Sequence, residues 1–226
     1  DVITTNSYFL HRDRLAPFGV EDRFEQLHRL ACRLAVEAWD AHGTGLVAGS
    51  LGPNARSYRP DLAMPEDKAA EAFVEIARLQ APYVDPLLCE TMSSIEQARG
   101  AVLGARTVGL PVWLAVTVDD NDGTRLRSGQ EISQVVELCN AMSLDTVLVN
   151  CSIPEAVDMA VSALTDCGLR VGAYANGFTR INEAFLEPGA TVDLLEKRKD
   201  LAPEAYAGFA SDWVTRAVGI VGAAAK

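Results

Sequence analysis

Short apolar runs alternate along the whole chain with longer stretches whose apolar residues recur at helical spacing. The runs predict strands at Val2–Thr5, Leu46–Ser50, Val84–Glu90, Val112–Val118, Thr146–Asn150, Arg170–Tyr174 and Val218–Val221. Phe24, Leu27, Leu30, Ala31, Leu34, Ala35 and Ala38 predict a helix over Glu21–Ala41, and Ala70, Phe73, Val74 and Ala77 predict another over Asp67–Gln80. Further helices are predicted over Ser94–Thr107, Ser133–Met142, Pro154–Cys167 and Pro203–Ala217. Ser93-x-x-Glu96 has capping-box spacing, and Pro154 and Pro203 suit a first helical turn. Gly109, Gly168 and Gly219 precede strands, as helix ends and the turns after them should.

Repeated strand–helix units with apolar strands imply a parallel sheet covered by helices. A dinucleotide or P-loop sheet would carry GxGxxG or GxxxxGK[ST] after a strand, and neither motif occurs. A (β/α)8 TIM barrel lacking its first strand is the simpler α/β reading, as one domain over residues 1–226. Residue 1 is Asp, and Asp1–Tyr8 reads at once as a core strand, so a preceding segment is expected.

Barrel active sites lie at the C-terminal ends of the strands. Those ends read Thr5-Asn6-Ser7, Gly49-Ser-Leu-Gly-Pro53, Glu90-Thr91, Thr117 with Asp119-Asp120, Asn150-Cys151-Ser152 and Ala175-Asn176-Gly177. Turn chemistry accounts for any one of them. All six together point to a site for a small polar ligand.

Charge and composition narrow the chemistry. A net charge of −11 argues against nucleic-acid binding and against a polybasic membrane anchor. No apolar run approaches the ~20 residues of a membrane-spanning helix. Five scattered cysteines without CxxC indicate free thiols in a reducing, cytoplasmic compartment. None of the four lysines, Lys68, Lys197, Lys199 and Lys226, falls on a predicted strand, which disfavours Schiff-base chemistry. HxH, HxxxH and GxSxG are absent. Glu90 with Asp119-Asp120 could form a glycosidase carboxylate pair, but aromatics at 7% are too few for sugar platforms. Cys151 directly follows an apolar strand, so its thiolate could be a nucleophile, a zinc ligand or simply a half-buried thiol. Cys32, Cys139 and Cys167 fall on helical patterns and Cys89 inside a strand, as core residues.

The chain resembles the homocysteine S-methyltransferase family of zinc-dependent barrels. The resemblance rests on Asp1-Val-Ile-Thr-Thr-Asn-Ser-Tyr8, Val47-Ala-Gly-Ser-Leu-Gly-Pro53, Asp85 through Glu90-Thr91 with Glu96, Val149-Asn-Cys-Ser152 and Gly172-Ala-Tyr-Ala-Asn176. Within the family, the Ser57-Tyr-Arg-Pro-Asp61 and Asp119–Gly129 segments resemble the bacterial single-domain branch. The resemblance implies methyl transfer from S-methylmethionine or S-adenosylmethionine to homocysteine, giving methionine. It implies Cys151 as a zinc ligand, Glu90 as the carboxylate for the homocysteine amino group, and Asn6, Asn150 and Asn176 as residues shaping the substrate pocket. Homocysteine and a small methyl donor are the expected partners, with no nucleic acid and no membrane.

Two departures stand out. The family's first strand, ending in an Asp-Gly-Gly type motif, is absent, and no Gly-Gly-Cys-Cys follows Ile220, so two of three expected zinc ligands are missing. Residues outside this sequence, a shortened or mutated chain, or a degenerate homologue would each account for that; the first is preferred because the front is missing as well. A non-catalytic amino-acid-binding barrel and a methyltransferase for another small thiol or selenol remain as alternative functions.

Overall fold

The computed structural model describes residues 1–54, 56–187, 189–216 and 218–224. Seven parallel strands form one sheet in chain order: β1 (Val2–Thr4), β2 (Leu46–Leu51), β3 (Leu87–Met92), β4 (Val112–Val116), β5 (Thr146–Asn150), β6 (Arg170–Ala175) and β7 (Ile220–Ala223). The first crossover carries α1 (Arg12–Leu15) and α2 (Phe24–His42). The next five carry α3 (Glu66–Gln80), α4 (Ile95–Ala105), α5 (Ser133–Ala141), α6 (Pro154–Leu164) and α7 (Pro203–Thr215), one helix each. Every strand pairs with its chain neighbours, which is the wiring of a barrel wall; a doubly wound sheet reverses its order partway. The predicted strand order holds. An eighth unit is not among the described residues.

The boundaries differ from the sequence reading where local chemistry intervenes. β3 begins at Leu87 and not at Val84. Pro86 has no N–H to give a ladder, and a short 3-10 turn, Ala81–Tyr83, carries the chain up to it. Asp85 still ties this lead-in to β2, its carboxylate accepting from Val47 N at 2.8 Å. The N-cap of α4 is Ser94, whose hydroxyl accepts from Gln97 N, so the capping pair sits one residue later than Ser93 and Glu96. Gln97 reaches back to accept from Ser93 N, and Glu96 instead accepts from Gln130. α6 stops at Leu164 because Thr165 is extended and Asp166 left-handed, which leaves Cys167 half-buried beyond the helix. The other cysteines read as core, Cys32, Cys89 and Cys139, are buried. α7 ends at Thr215, and its expected last residue, Ala217, lies outside the described residues. β7 starts two residues later than expected, after Gly219 N pairs with Val171 O.

Strand alternation sorts the side chains onto two faces. Val47, Leu87, Cys89, Leu114, Val116, Val147, Val149, Val171 and Ala173 pack outward against Phe24, Phe73, Ile76, Val102, Leu138, Val161 and Trp213 of the helices. The opposite phase holds Ala48, Leu88, Trp113, Ala115 and Leu148, with Tyr174 and Ile220 against them, as an inner apolar floor. Gly172 belongs to that floor, since a Cβ there would stand 2.6 Å from Leu148 Cγ. On the outside, α3 and α4 touch closely because Gly104 lacks a Cβ, which would fall 2.5 Å from that of Phe73. Among the described residues no helix is long and apolar enough to cross a membrane.

Two histidines make the fold acid-sensitive. His11 is buried, and burial, with Arg14 and His28 adding to it, pushes its pKa down to about 3. His28 is also buried, its Nε2 2.9 Å from Leu10 O, and burial lowers its pKa as well. Both are neutral when folded, whereas an unfolded histidine takes a proton near pH 6.5. The stability they allow is therefore full above that value and is lost as pH falls toward about 3. Urea midpoints measured from pH 7 to pH 4 should fall, with a slope of up to about 1.4 kcal/mol per pH unit for each histidine. His11→Gln should flatten the slope. A flat profile in the wild-type chain would contradict this account.

Candidate functional site

Two residues beyond the apolar floor, the inner face turns polar at the C-terminal ends of five neighbouring strands. Ala48 is followed at this spacing by Ser50, Leu88 by Glu90, Ala115 by Thr117, Leu148 by Asn150 and Gly172 by Tyr174. Register puts Asn150 level with Tyr174 on the neighbouring strand, whereas Ser50 is level with Leu88, so Glu90 reaches one step beyond Ser50.

Glu90 stands at the centre of this layer. The Ser50 hydroxyl donates to one carboxylate oxygen, and the Tyr174 hydroxyl donates to the other at 2.9 Å. Burial pushes the Glu90 pKa up, and the two hydroxyl donors oppose that shift. A carboxylate so placed, with no cationic side chain hydrogen-bonded to it among the described residues, is suited to a ligand ammonium.

Cys151 follows β5 with a left-handed backbone, φ +55°, and its N–H donates to Tyr174 O at 3.1 Å. The half-buried sulfur accepts from Asn150 Nδ2 at 3.3 Å and from Thr91 Oγ1 at 3.6 Å. Burial, and after it the charge of Glu90, pushes the thiol up to about 11, against the opposing effects of Thr91, Tyr58 and Arg127. At neutral pH this thiol keeps its proton unless a cation joins it.

The three expected asparagines have different surroundings. Asn150 is fully buried and bonded to Thr91, its Oδ1 accepting from Thr91 N at 3.1 Å and its Nδ2 donating to Thr91 Oγ1 at 2.8 Å. Asn176 supports the Cys151 peptide, donating to Cys151 O at 2.8 Å and accepting from Phe178 N at 3.0 Å. Asn6 is exposed in the bend after β1, and no described side-chain hydrogen bond joins it to Glu90 or Cys151. Its neighbour Ser7 points away, donating to Ser50 O at 2.9 Å beside Gln80.

The loops add Tyr8, Tyr58 and Arg127, to which the sequence assigns no role in the site. Tyr8 shares a 2.7 Å hydrogen bond with Ser57. Tyr58 is among the groups that oppose the rise in the Cys151 pKa, and its ring lies 4.9 Å from the Arg127 guanidinium. Arg127 is held by Asp120 at 2.9 Å and by Thr117 at 3.1 Å. Asp120 also accepts from Ile153 N at 3.3 Å and Ile181 N at 3.0 Å, so one carboxylate joins three loops. Asp119 accepts from the N–H groups of Asn121 and Asp122. Glu90 and the Asp119-Asp120 pair have separate hydrogen-bond partners. Period-2 phasing from Ala48 and Gly172 marks Ser50 and Tyr174 as inward-facing. Tyr58 and Arg127 lie in loops, where no periodicity marks them.

Of the lysines, Lys68, Lys197 and Lys199 lie off the strands, and Lys226 is outside the described residues. Among the described residues no group of three His, Cys, Asp or Glu side chains is placed to hold a metal ion. Cys151 brings one sulfur to the site, whereas a catalytic zinc takes about three protein ligands. The described residues therefore do not by themselves make a zinc site.

The fold is similar to crystal structures of the homocysteine methyltransferase MmuM from Escherichia coli. The metallated form aligns with a TM-score of 0.77 at 20% identity, covering 98% of this chain and 74% of that one. The oxidised form gives 0.75 at the same identity and coverage, and the apo form 0.63. At that identity the likeness is one of fold. Family membership comes from the sequence itself: the profile described as "Homocysteine S-methyltransferase" matches residues 1–225, and the chain belongs to that family.

Proposed function

We propose that this chain is the greater part of an eight-unit barrel, one domain over residues 1–226, that transfers a methyl group to the sulfur of homocysteine to give methionine. The donor is a small activated methyl compound, S-methylmethionine or S-adenosylmethionine. The observation that carries the reading is the polar layer in which Glu90, held by Ser50 and Tyr174, stands within electrostatic reach of Cys151. A substrate with an ammonium at one end and a thiol at the other matches that pair.

In this reading Glu90 binds the homocysteine ammonium, and Ser50 and Tyr174 aim its carboxylate. Asn150 and Asn176 hold the strand ends that frame the substrate, and Asn6 is assigned to the rim. A free thiol near pKa ~8.5 is mostly protonated at neutral pH, so the acceptor sulfur needs activation. Zinc is the group the family resemblance implies for that task, and Cys151 is proposed as one of its sulfur ligands. Any further ligands would have to come from outside residues 1–226, and no step is derived through the metal. Five unpaired cysteines support a cytoplasmic location.

The test is a donor and acceptor panel. Natural full-length protein is supplied with homocysteine and, in turn, S-methylmethionine, S-adenosylmethionine and a quaternary ammonium donor, and methionine is measured. Methionine from a sulfonium donor is the expected result. Homocysteine binding without methionine from any donor would favour the amino-acid-binding barrel. Faster methylation of another small thiol or selenol would move the substrate assignment.

A further inference from the structure

Among the described residues, five that are not glycine have left-handed backbone: Tyr58 (φ +63°), Thr91 (+63°), Ser143 (+52°), Cys151 (+55°) and Asp166 (+63°). Ser143 and Asp166 lie in the turns that follow α5 and α6. Thr91 and Cys151 meet at one sulfur, the Thr91 hydroxyl donating to Cys151 Sγ, and Tyr58 is among the groups that act on the same thiol. Left-handed backbone is most costly for β-branched and bulky side chains, and it persists only where the surroundings over-determine it.

Thr91 is over-determined by Asn150. Its N–H donates to Asn150 Oδ1 at 3.1 Å, and Asn150 Nδ2 returns a bond to Thr91 Oγ1 at 2.8 Å. This closed ring joins the end of β3 to the end of β5, passing over β4. The same Nδ2 also donates to Cys151 Sγ at 3.3 Å. The amide fills an acceptor side of the Thr91 hydroxyl and leaves the hydroxyl proton for the sulfur, 3.6 Å away. Both Thr91 and Asn150 are fully buried. No side-chain hydrogen bond described runs from Thr91 or Asn150 to the Glu90 carboxylate, whose partners are Ser50 and Tyr174.

We propose that Thr91 is a positioning residue: its strained backbone and hydroxyl, latched to Asn150, hold the Cys151 sulfur in one orientation at the barrel mouth. The proposal rests on the reading of Cys151 as the sulfur of the reaction site. It gives Asn150 a second task beyond framing the pocket.

The test pairs crystal structures with kinetics for the full-length wild type, Thr91→Ser and Thr91→Val. Ser keeps the hydroxyl, and its sulfur should stay within about 0.5 Å of the wild-type position. Val keeps the shape and loses the hydroxyl, so the sulfur should move by about 1 Å or split between two rotamers. A displacement of that size should lower kcat by roughly 10- to 100-fold in Val, against no more than about 3-fold in Ser, with KM for the methyl donor unchanged. Thr91→Gly relieves the left-handed strain, replaces Val in the comparison if the Val chain fails to fold, and should displace the sulfur in the same way. A sulfur that stays fully in place in Val or Gly overturns the latch, as does a Ser variant as impaired as Val. If the wild type transfers no methyl group, the methyltransferase reading fails, and the crystallographic comparison still decides the latch.

Discussion

Glu90→Gln should melt at a higher temperature than the wild type without ligand and bind homocysteine far more weakly. Burial raises the Glu90 pKa, so the folded protein holds that proton more tightly than the unfolded chain does. As pH rises above the unfolded carboxyl pKa, near 4.3, the folded protein loses stability relative to a neutral side chain, and it goes on losing it until the raised folded pKa is passed. Glutamine has the same shape. Its carbonyl can accept from Ser50 or Tyr174, and it carries no charge to desolvate. The gain is in the free protein only. With homocysteine bound, the lost ammonium–carboxylate pair should cost at least about 2 kcal/mol, roughly 30-fold in affinity. Thermal melts and calorimetric titration with homocysteine read the two effects separately. A Gln variant that binds homocysteine normally would remove Glu90 from the ammonium site. One that melts lower would show the carboxylate to be a structural support.

The inner strands β2 to β6 are legible because each is an apolar run closed by small polar residues, and that is how parallel strands buried on both faces are written. β3 shows the limit of this signal. Val84 continues the apolar pattern, but Pro86 and the turn before it delay the ladder to Leu87. Glu90 and Cys151 were visible as candidates because strand polarity alone places their ends at the mouth. Thr91 stands among the strand ends and Tyr58 in a segment of the resemblance, but neither gains a role from sequence, since the left-handed backbone that sets them apart is announced by no residue type. Arg127 could not be read either. Its place at the mouth depends on Asp120, and that pairing is made by the return of a loop. Asn150 was read as a pocket-shaping residue; its bonds to Thr91 and to the Cys151 sulfur depend on the facing of β3 and β5, which alternation does not specify.

Cys151→Ser, made in the natural full-length protein, should reduce methyl transfer by at least about 100-fold. Loss of a residue that only supports a metal ligand already costs 10- to 100-fold, and a ligand itself should cost no less. Zinc content per chain should fall with activity. Serine keeps the size of the side chain, can adopt the same backbone, and still accepts from Asn150 Nδ2, so the strand end should survive the change. The two site variants should then fail in different ways. Glu90→Gln acts on the ammonium end of homocysteine and appears mainly in its KM. Cys151→Ser acts where the sulfur must be activated and appears mainly in kcat. That split is what two ends of one small substrate require, and a protein that merely binds an amino acid would show only the first. Methyl transfer at the wild-type rate by Cys151→Ser, or a full-length protein that binds no zinc with Cys151 intact, would overturn the assignment of this sulfur and leave the polar layer around Glu90 as a binding site alone.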